Sequence, residues 1–121
     1  MKVYVIESFD LLKERFVSRI SRIVGVDSVY GEACVLTALV SMRKIKPDVV
    51  LLDMHQLHES GVDVEKDIKN GKPTPKVILM TDHPKRKNHI LFKIKGVDYV
   101  FNKSFELEKI YETLQQLNEK I

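Results

Sequence analysis

Four short apolar runs in this 121-residue chain end on side chains able to hold or transfer charge. Val3–Ile6 leads into Glu7 and Ser8, and Val49–Leu52 leads into Asp53. Val77–Met80 leads into Thr81 and Asp82, and Tyr99–Phe101 into Asn102, Lys103 and Ser104. If these runs are strands of one parallel sheet, carboxylates, hydroxyls and an ammonium share a rim, the equipment of a site for a charged ligand. Other chemistries are excluded. A single cysteine, Cys34, allows neither an intrachain disulfide nor a multi-cysteine zinc site, and the four histidines lack metal-finger spacing. Cys34 reads as a small, buried or half-buried helix residue. His55 and His58 read as exposed residues of a polar loop after Asp53.

The elements that must position these residues alternate along the chain. Val3–Ile6 is a β-branched and aromatic run, read as a buried strand. Leu12, Phe16, Ile20 and Ile23 then recur at helical spacing among charged residues, with Asp10 at the expected N-cap and Gly25 at the exit. Val26–Tyr30 reads as a weak edge strand. Val35, Leu36, Leu39, Val40 and Met42 define a second helix from Glu32, which must stop before Pro47. The four consecutive apolar residues Val49–Leu52 predict a strand covered on both faces, the mark of a parallel sheet. A polar loop to Gly61 and a short helix over Val62–Lys69 follow, then a turn-rich stretch over Asn70–Pro75. Val77–Met80 is a fourth strand, Pro84–Ile94 a helix ended by Gly96, and Tyr99–Phe101 a fifth strand. Leu107, Ile110, Leu114, Leu117 and Ile121 mark a closing helix.

This is a (βα)5 pattern: an α/β, doubly wound parallel sheet in a flavodoxin-like three-layer sandwich. In such sheets the crevice lies beyond the carboxyl ends of the strands, and the common five-stranded order 2-1-3-4-5 sets strands 1 and 3 side by side there. The reading takes residues 1–121 as one domain ending in its last helix, with nothing downstream; a domain cut from a longer transcription regulator is the alternative.

These residues carry a resemblance. Pro47-Asp48-Val49-Val50-Leu51-Leu52-Asp53-Met54-His55-Gln56-Leu57, closed by Gly61, is similar to the phosphoacceptor segment of the receiver domains of bacterial two-component response regulators. Thr81 after the fourth strand, Lys103 after the fifth, and Gly96-Val97-Asp98 before it fit the same family. The resemblance covers essentially the whole chain. It implies that Asp53 accepts a phosphoryl group from a phosphohistidine, that Lys103 pairs with a phosphoryl oxygen, and that Thr81 hydrogen-bonds another. It also implies Mg²⁺, a hard cation suited to carboxylates and water, held here by Glu7 and Asp53. Beyond self-catalysed phosphoryl transfer and dephosphorylation, it implies no enzymatic activity.

The chain departs from the family at four places. Ser8 stands where a second acid normally ligates the metal, so weak Mg²⁺ binding is expected. Asp82 adds bulk and negative charge where a very small residue is usual. Ser104 replaces a proline whose preceding bond is often cis; a non-proline cis bond costs about 2.5–4 kcal/mol, so a trans bond is expected. Val100 occupies the place of a switching aromatic residue, and Tyr99 beside it must face the other side of the sheet.

Twenty Lys and Arg against seventeen Asp and Glu give +3, too little to name a partner. No apolar run approaches the about 20 residues of a membrane span, and Met1–Ile6 runs into Glu7 without signal-peptide pattern, so the reading is cytoplasmic. Lys85, Arg86, Lys87, Lys93 and Lys95 make the expected fourth helix basic. This reads as a solvated face or, by resemblance, as part of the output surface from the fourth to the fifth helix, where an acidic partner would dock. Tyr111 is assigned to that face. Nothing supports direct nucleic-acid readout. The implied partners are a sensor histidine kinase or phosphotransfer protein and an output protein, with homodimerisation left open. The competing function is a phosphorylation-independent pseudo-receiver, a docking or dimerisation module whose partner binding ignores Asp53→Asn.

Overall fold

Five apolar runs become five parallel strands. The computed structural model describes residues 1–82 and 93–120. In chain order it contains β1 (Lys2–Ile6), α1 (Asp10–Ile20), β2 (Ser28–Glu32), α2 (Val35–Ile45), β3 (Val49–Asp53), α3 (Met54–Ser60) and a π-helical turn (Val64–Ile68). β4 (Lys76–Thr81), β5 (Tyr99–Asn102) and α4 (Leu107–Glu119) complete it. The sheet order is β2-β1-β3-β4-β5 and every pairing is parallel. The expected α/β doubly wound architecture is therefore the observed one.

The inner strands β1, β3 and β4 bury both faces because each alternates its side chains between two helical layers. Tyr4, Ile6, Val50, Leu52, Val77, Leu79 and Val100 face one core, shared with Val35, Ala38 and Met42 of α2 and Leu57 of α3. Val3, Val5, Val49, Leu51, Ile78 and Met80 face the other, closed by Phe16 and Ile20 of α1 and Ile110, Leu114 and Leu117 of α4. Asp53 pairs in register with Met80, and Thr81 with Asn102, so the polar ends of β3, β4 and β5 lie side by side.

Several local expectations are corrected. Asp53 is followed at once by helix α3, not a polar loop: its side chain caps the helix by accepting the His55 N–H, and Gly61 ends it at φ 70°. His55 and His58 are thus helical, with His55 Nε2 3.2 Å from Glu59 Oε1 one turn on. Phe9, not Asp10, is the N-cap of α1, and Asp10 sits in its first turn. β2 begins two residues later than expected, because Asp27 N–H is taken by Met1 O and Lys2 pairs with Ser28. Cys34 is exposed at the N-cap of α2, not buried within it. Tyr111 is buried in the α1–α4 core beneath Arg19, whose guanidinium lies 4.2 Å from its ring centroid, so it is not part of an output face. Lys46 adopts φ 53° as it ends α2 ahead of Pro47. The helix expected over Pro84–Ile94 falls largely on residues outside the described ones, as do Lys85, Arg86 and Lys87.

Candidate functional site

Each site residue occupies the end of a strand whose buried run fixes its height. β1 and β3 are neighbours at the point where the strand order reverses, and this sets Glu7 beside Asp53. Glu7 is wholly buried; its N–H donates to Glu32 O at 3.0 Å, and its Oε2 accepts the Phe9 N–H at 3.1 Å. Its other oxygen, Oε1, accepts from Lys103 Nζ at 2.9 Å, across 96 residues of sequence. The same ammonium lies 3.2 Å from Asp53 Oδ1, which also accepts the His55 N–H at 3.4 Å. Asp53 Oδ2 faces the Ser8 hydroxyl, which donates at 3.5 Å. The structure therefore brings together Glu7, Ser8, Asp53 and Lys103.

Thr81 is buried at the end of β4, and its carbonyl accepts the Lys103 N–H at 3.0 Å, extending the ladder by one bond to the lysine backbone. Asp82 is exposed, turned out of the buried cluster. Val100 packs in the core shared with α2 and α3. Tyr99 and Phe101 stack on each other on the opposite face, ring centroids 6.2 Å apart, so no aromatic residue stands at the position before Lys103 that faces Thr81's layer. The Lys103–Ser104 bond is trans; the cis bond among the described residues is Lys72–Pro73.

The electrostatics are lopsided. Two carboxylates share one ammonium, leaving a formal charge of one negative in a poorly solvated cleft. Burial by itself would push the Lys103 ammonium toward deprotonation. The hydrogen bond that Lys103 donates to Glu7 and the charges of Asp53 and Glu7 outweigh it and hold Lys103 above the ordinary lysine value. Buried charge is tolerable only when it is paired and hydrogen-bonded, and each of these groups is.

As a cation site the pocket is sparse. Among the described residues, no three His, Cys, Asp or Glu side chains are grouped to hold a metal ion. The donors of Glu7, Asp53 and Ser8 are all hard oxygens, the type Mg²⁺ accepts together with water. Two carboxylates fit it, at the cost of competing with Lys103.

Sequence reasoning missed the structural part played by Asn102 and Glu106. Asn102 Oδ1 accepts the N–H groups of Ser104 and Phe105, and Glu106 Oε1 accepts the Asn102 N–H at 2.9 Å. The only available signal was an Asn and a Glu four apart after a strand.

A family model for the response regulator receiver domain matches residues 3–115. The sensory transduction protein LytT of Bacillus anthracis is 29% identical over 117 residues, covering 96% of this chain and 46% of that protein. LytT of Enterococcus faecalis is 27% identical over 121 residues, covering 100% of this chain and 49% of that protein. The chain thus spans about half the length of these curated relatives. A response regulator from Thermotoga maritima superposes with a TM-score of 0.76 at 20% identity, over 98% of this chain and 97% of that one. The receiver domain of a DNA-binding response regulator from Colwellia psychrerythraea gives 0.77 at 22% identity, over 98% of each. Both share this chain's fold. No helix among the described residues is long and apolar enough to cross a membrane.

Proposed function

This chain belongs to the receiver domains of two-component response regulators, and on that premise we propose that Asp53 is its phosphoacceptor, with Lys103 and Thr81 completing the site. The observation that carries the reading is the position of Lys103 Nζ, 2.9 Å from Glu7 and 3.2 Å from Asp53 at the carboxyl ends of the strands. Asp53 Oδ1 is held by Lys103 and by the His55 N–H, whereas among the described residues Oδ2 meets only a long contact from Ser8. Oδ2 therefore has lone pairs free for attack.

In the proposed step that oxygen attacks the phosphorus of a phosphohistidine on a sensor kinase or phosphotransfer protein. An O–P bond forms, the P–N bond breaks, and its electron pair leaves with the imidazole. Lys103 follows the new negative charge onto a phosphoryl oxygen, and the Thr81 hydroxyl meets another. Glu7 keeps the ammonium in place during the exchange. Asp53 and Glu7, with the neutral Ser8 oxygen, would hold Mg²⁺ weakly, and the ion would supply further neutralisation of the phosphoryl charge. The chemistry is self-catalysed, and its product is a changed surface for an output protein or a second copy of the chain.

The test is incubation with a small acyl phosphate and Mg²⁺, read by intact-protein mass spectrometry. One added phosphoryl group is expected in the wild type and none in Asp53→Asn. Equal labelling of both would remove Asp53 from the role. No labelling of either, from the acyl phosphate or from a phosphohistidine donor, would favour a phosphorylation-independent docking module.

A further inference from the structure

We propose that Asn102 is a positioning residue for Lys103: with Glu106 it closes a hydrogen-bonded ring around residues 103–105 that holds the lysine backbone where its ammonium reaches Glu7 and Asp53. The consequence for phosphoryl transfer rests on the reading of Asp53 given above; the geometry does not.

Asn102 is the last residue of β5 and is 1% exposed. Val100, two residues earlier on the same face, is an ordinary core side chain. An amide in such a place needs a reason. Its oxygen has one, since Oδ1 accepts both the Ser104 N–H at 2.8 Å and the Phe105 N–H at 2.9 Å. Those two donors also fix which end of the amide is oxygen. Its nitrogen has none: Nδ2 is buried without a hydrogen-bond partner among the described residues. An unsatisfied buried donor is a standing cost that an apolar residue would avoid. The two bonds made by Oδ1 must outweigh it.

Glu106 completes the ring. Its Oε1 accepts the Asn102 N–H at 2.9 Å, and its own N–H donates to Asn102 O at 2.8 Å. The four bonds span the stretch from Asn102 to Glu106, with Lys103 as its first inner residue. Packing does not hold this stretch, because Ser104 is exposed and Phe105 is 82% exposed. A proline, which the resemblance puts after the lysine, is absent, so no ring fixes the backbone there. The Asn102–Glu106 bonds supply by acceptor geometry the order that a pyrrolidine would supply covalently. Lys103 must span to a carboxylate 96 residues away in sequence, and small misplacements of a charged group lose transition-state stabilisation steeply.

The experiment uses the intact chain and two readouts. The first is the side-chain ¹H–¹⁵N signal of the Lys103 ammonium, assigned by its loss in Lys103→Arg. It is expected to shift or broaden away in Asn102→Val, and in Glu106→Ala, which opens the ring from its other end. It should persist in Asn102→Ser, which keeps an acceptor oxygen. An unchanged signal in both Asn102→Val and Glu106→Ala would overturn the proposal, whether or not the protein can be phosphorylated. The second readout is the rate of labelling by a small acyl phosphate. Asn102→Val should slow it roughly tenfold, Asn102→Ser should restore most of the rate, and in a Lys103→Arg background Asn102→Val should add little. A full tenfold further loss in that background would show that Asn102 acts independently of the lysine and would sink the proposal.

Discussion

Both ends of the sheet carry a cluster of lysine and carboxylate, and the two are balanced in opposite ways. At the amino end one carboxylate has several donors. Asp98 Oδ2 accepts from Lys69 Nζ at 2.5 Å and from the Val77 N–H at 2.8 Å, and its Oδ1 lies 3.9 Å from Lys76 Nζ. At the carboxyl end one ammonium has two acceptors, Glu7 and Asp53, both almost fully buried. The first arrangement satisfies its buried charge and ties the entrance of β5 to β4. The second leaves negative charge in surplus where it is poorly solvated. The difference separates an ion pair that serves stability from one that, on the function proposed for Asp53, leaves a carboxylate oxygen ready to react.

The sharpest way to break this comparison is to neutralise one carboxylate at each end. Asp98→Asn should lower unfolding free energy by about 2 kcal/mol, since it removes charge-assisted hydrogen bonds from a mostly buried lysine and a backbone donor. Asp53→Asn should leave stability unchanged or raise it by up to about 1 kcal/mol, because it relieves repulsion from Glu7 while Lys103 keeps a partner. Urea unfolding of the two variants measures both. Losses of equal size would mean that the two clusters are balanced alike.

A second change sharpens the contrast by making the surplus larger. Ser8→Asp adds a third carboxylate beside Asp53, and Mg²⁺ affinity should rise about tenfold, or ~1.4 kcal/mol. Isothermal titration checks it; an unchanged affinity would mean that position 8 does not face the cation.

The smallest effect concerns pH. Lys103 is raised above its ordinary value of 10.5, first against the opposing effect of burial and then through Glu7 and Asp53. A raised lysine contributes stability that is complete below its unfolded value and disappears as pH climbs through the folded one. The stability of the wild type over Lys103→Met should therefore be constant from neutral pH to about 10 and shrink above 10.5. A difference that grows with alkalinity would reverse the sign and with it the assignment of the partners.

How far the sequence reached can be seen at individual residues. Val49–Leu52 reads as a doubly covered strand with Asp53 at its end, and it is one. Pro47 and the preceding Lys46 marked the stop of α2 by backbone sterics alone. The segment after Asp53 was misread because its polar composition resembles a loop, whereas the helix there starts from a cap that Asp53 itself provides. Tyr111 was misplaced because helical spacing tells which residues share a face, not whether that face meets α1 or solvent. Asn102 looked like one more polar residue after a strand; nothing local says that its oxygen would be used twice and its nitrogen not at all.

The sequence on its own determined the strands, their polar ends and the kinds of side chain available at the rim, because those follow from apolar periodicity and from steric rules acting over a few residues. Only the tertiary structure decided which of those side chains meet. Glu7, Asp53 and Lys103 lie 46 and 50 residues apart in succession. Their contact depends on how the helices pack against the sheet and fix its register, a sum of many weak burial terms that no short stretch of chain contains.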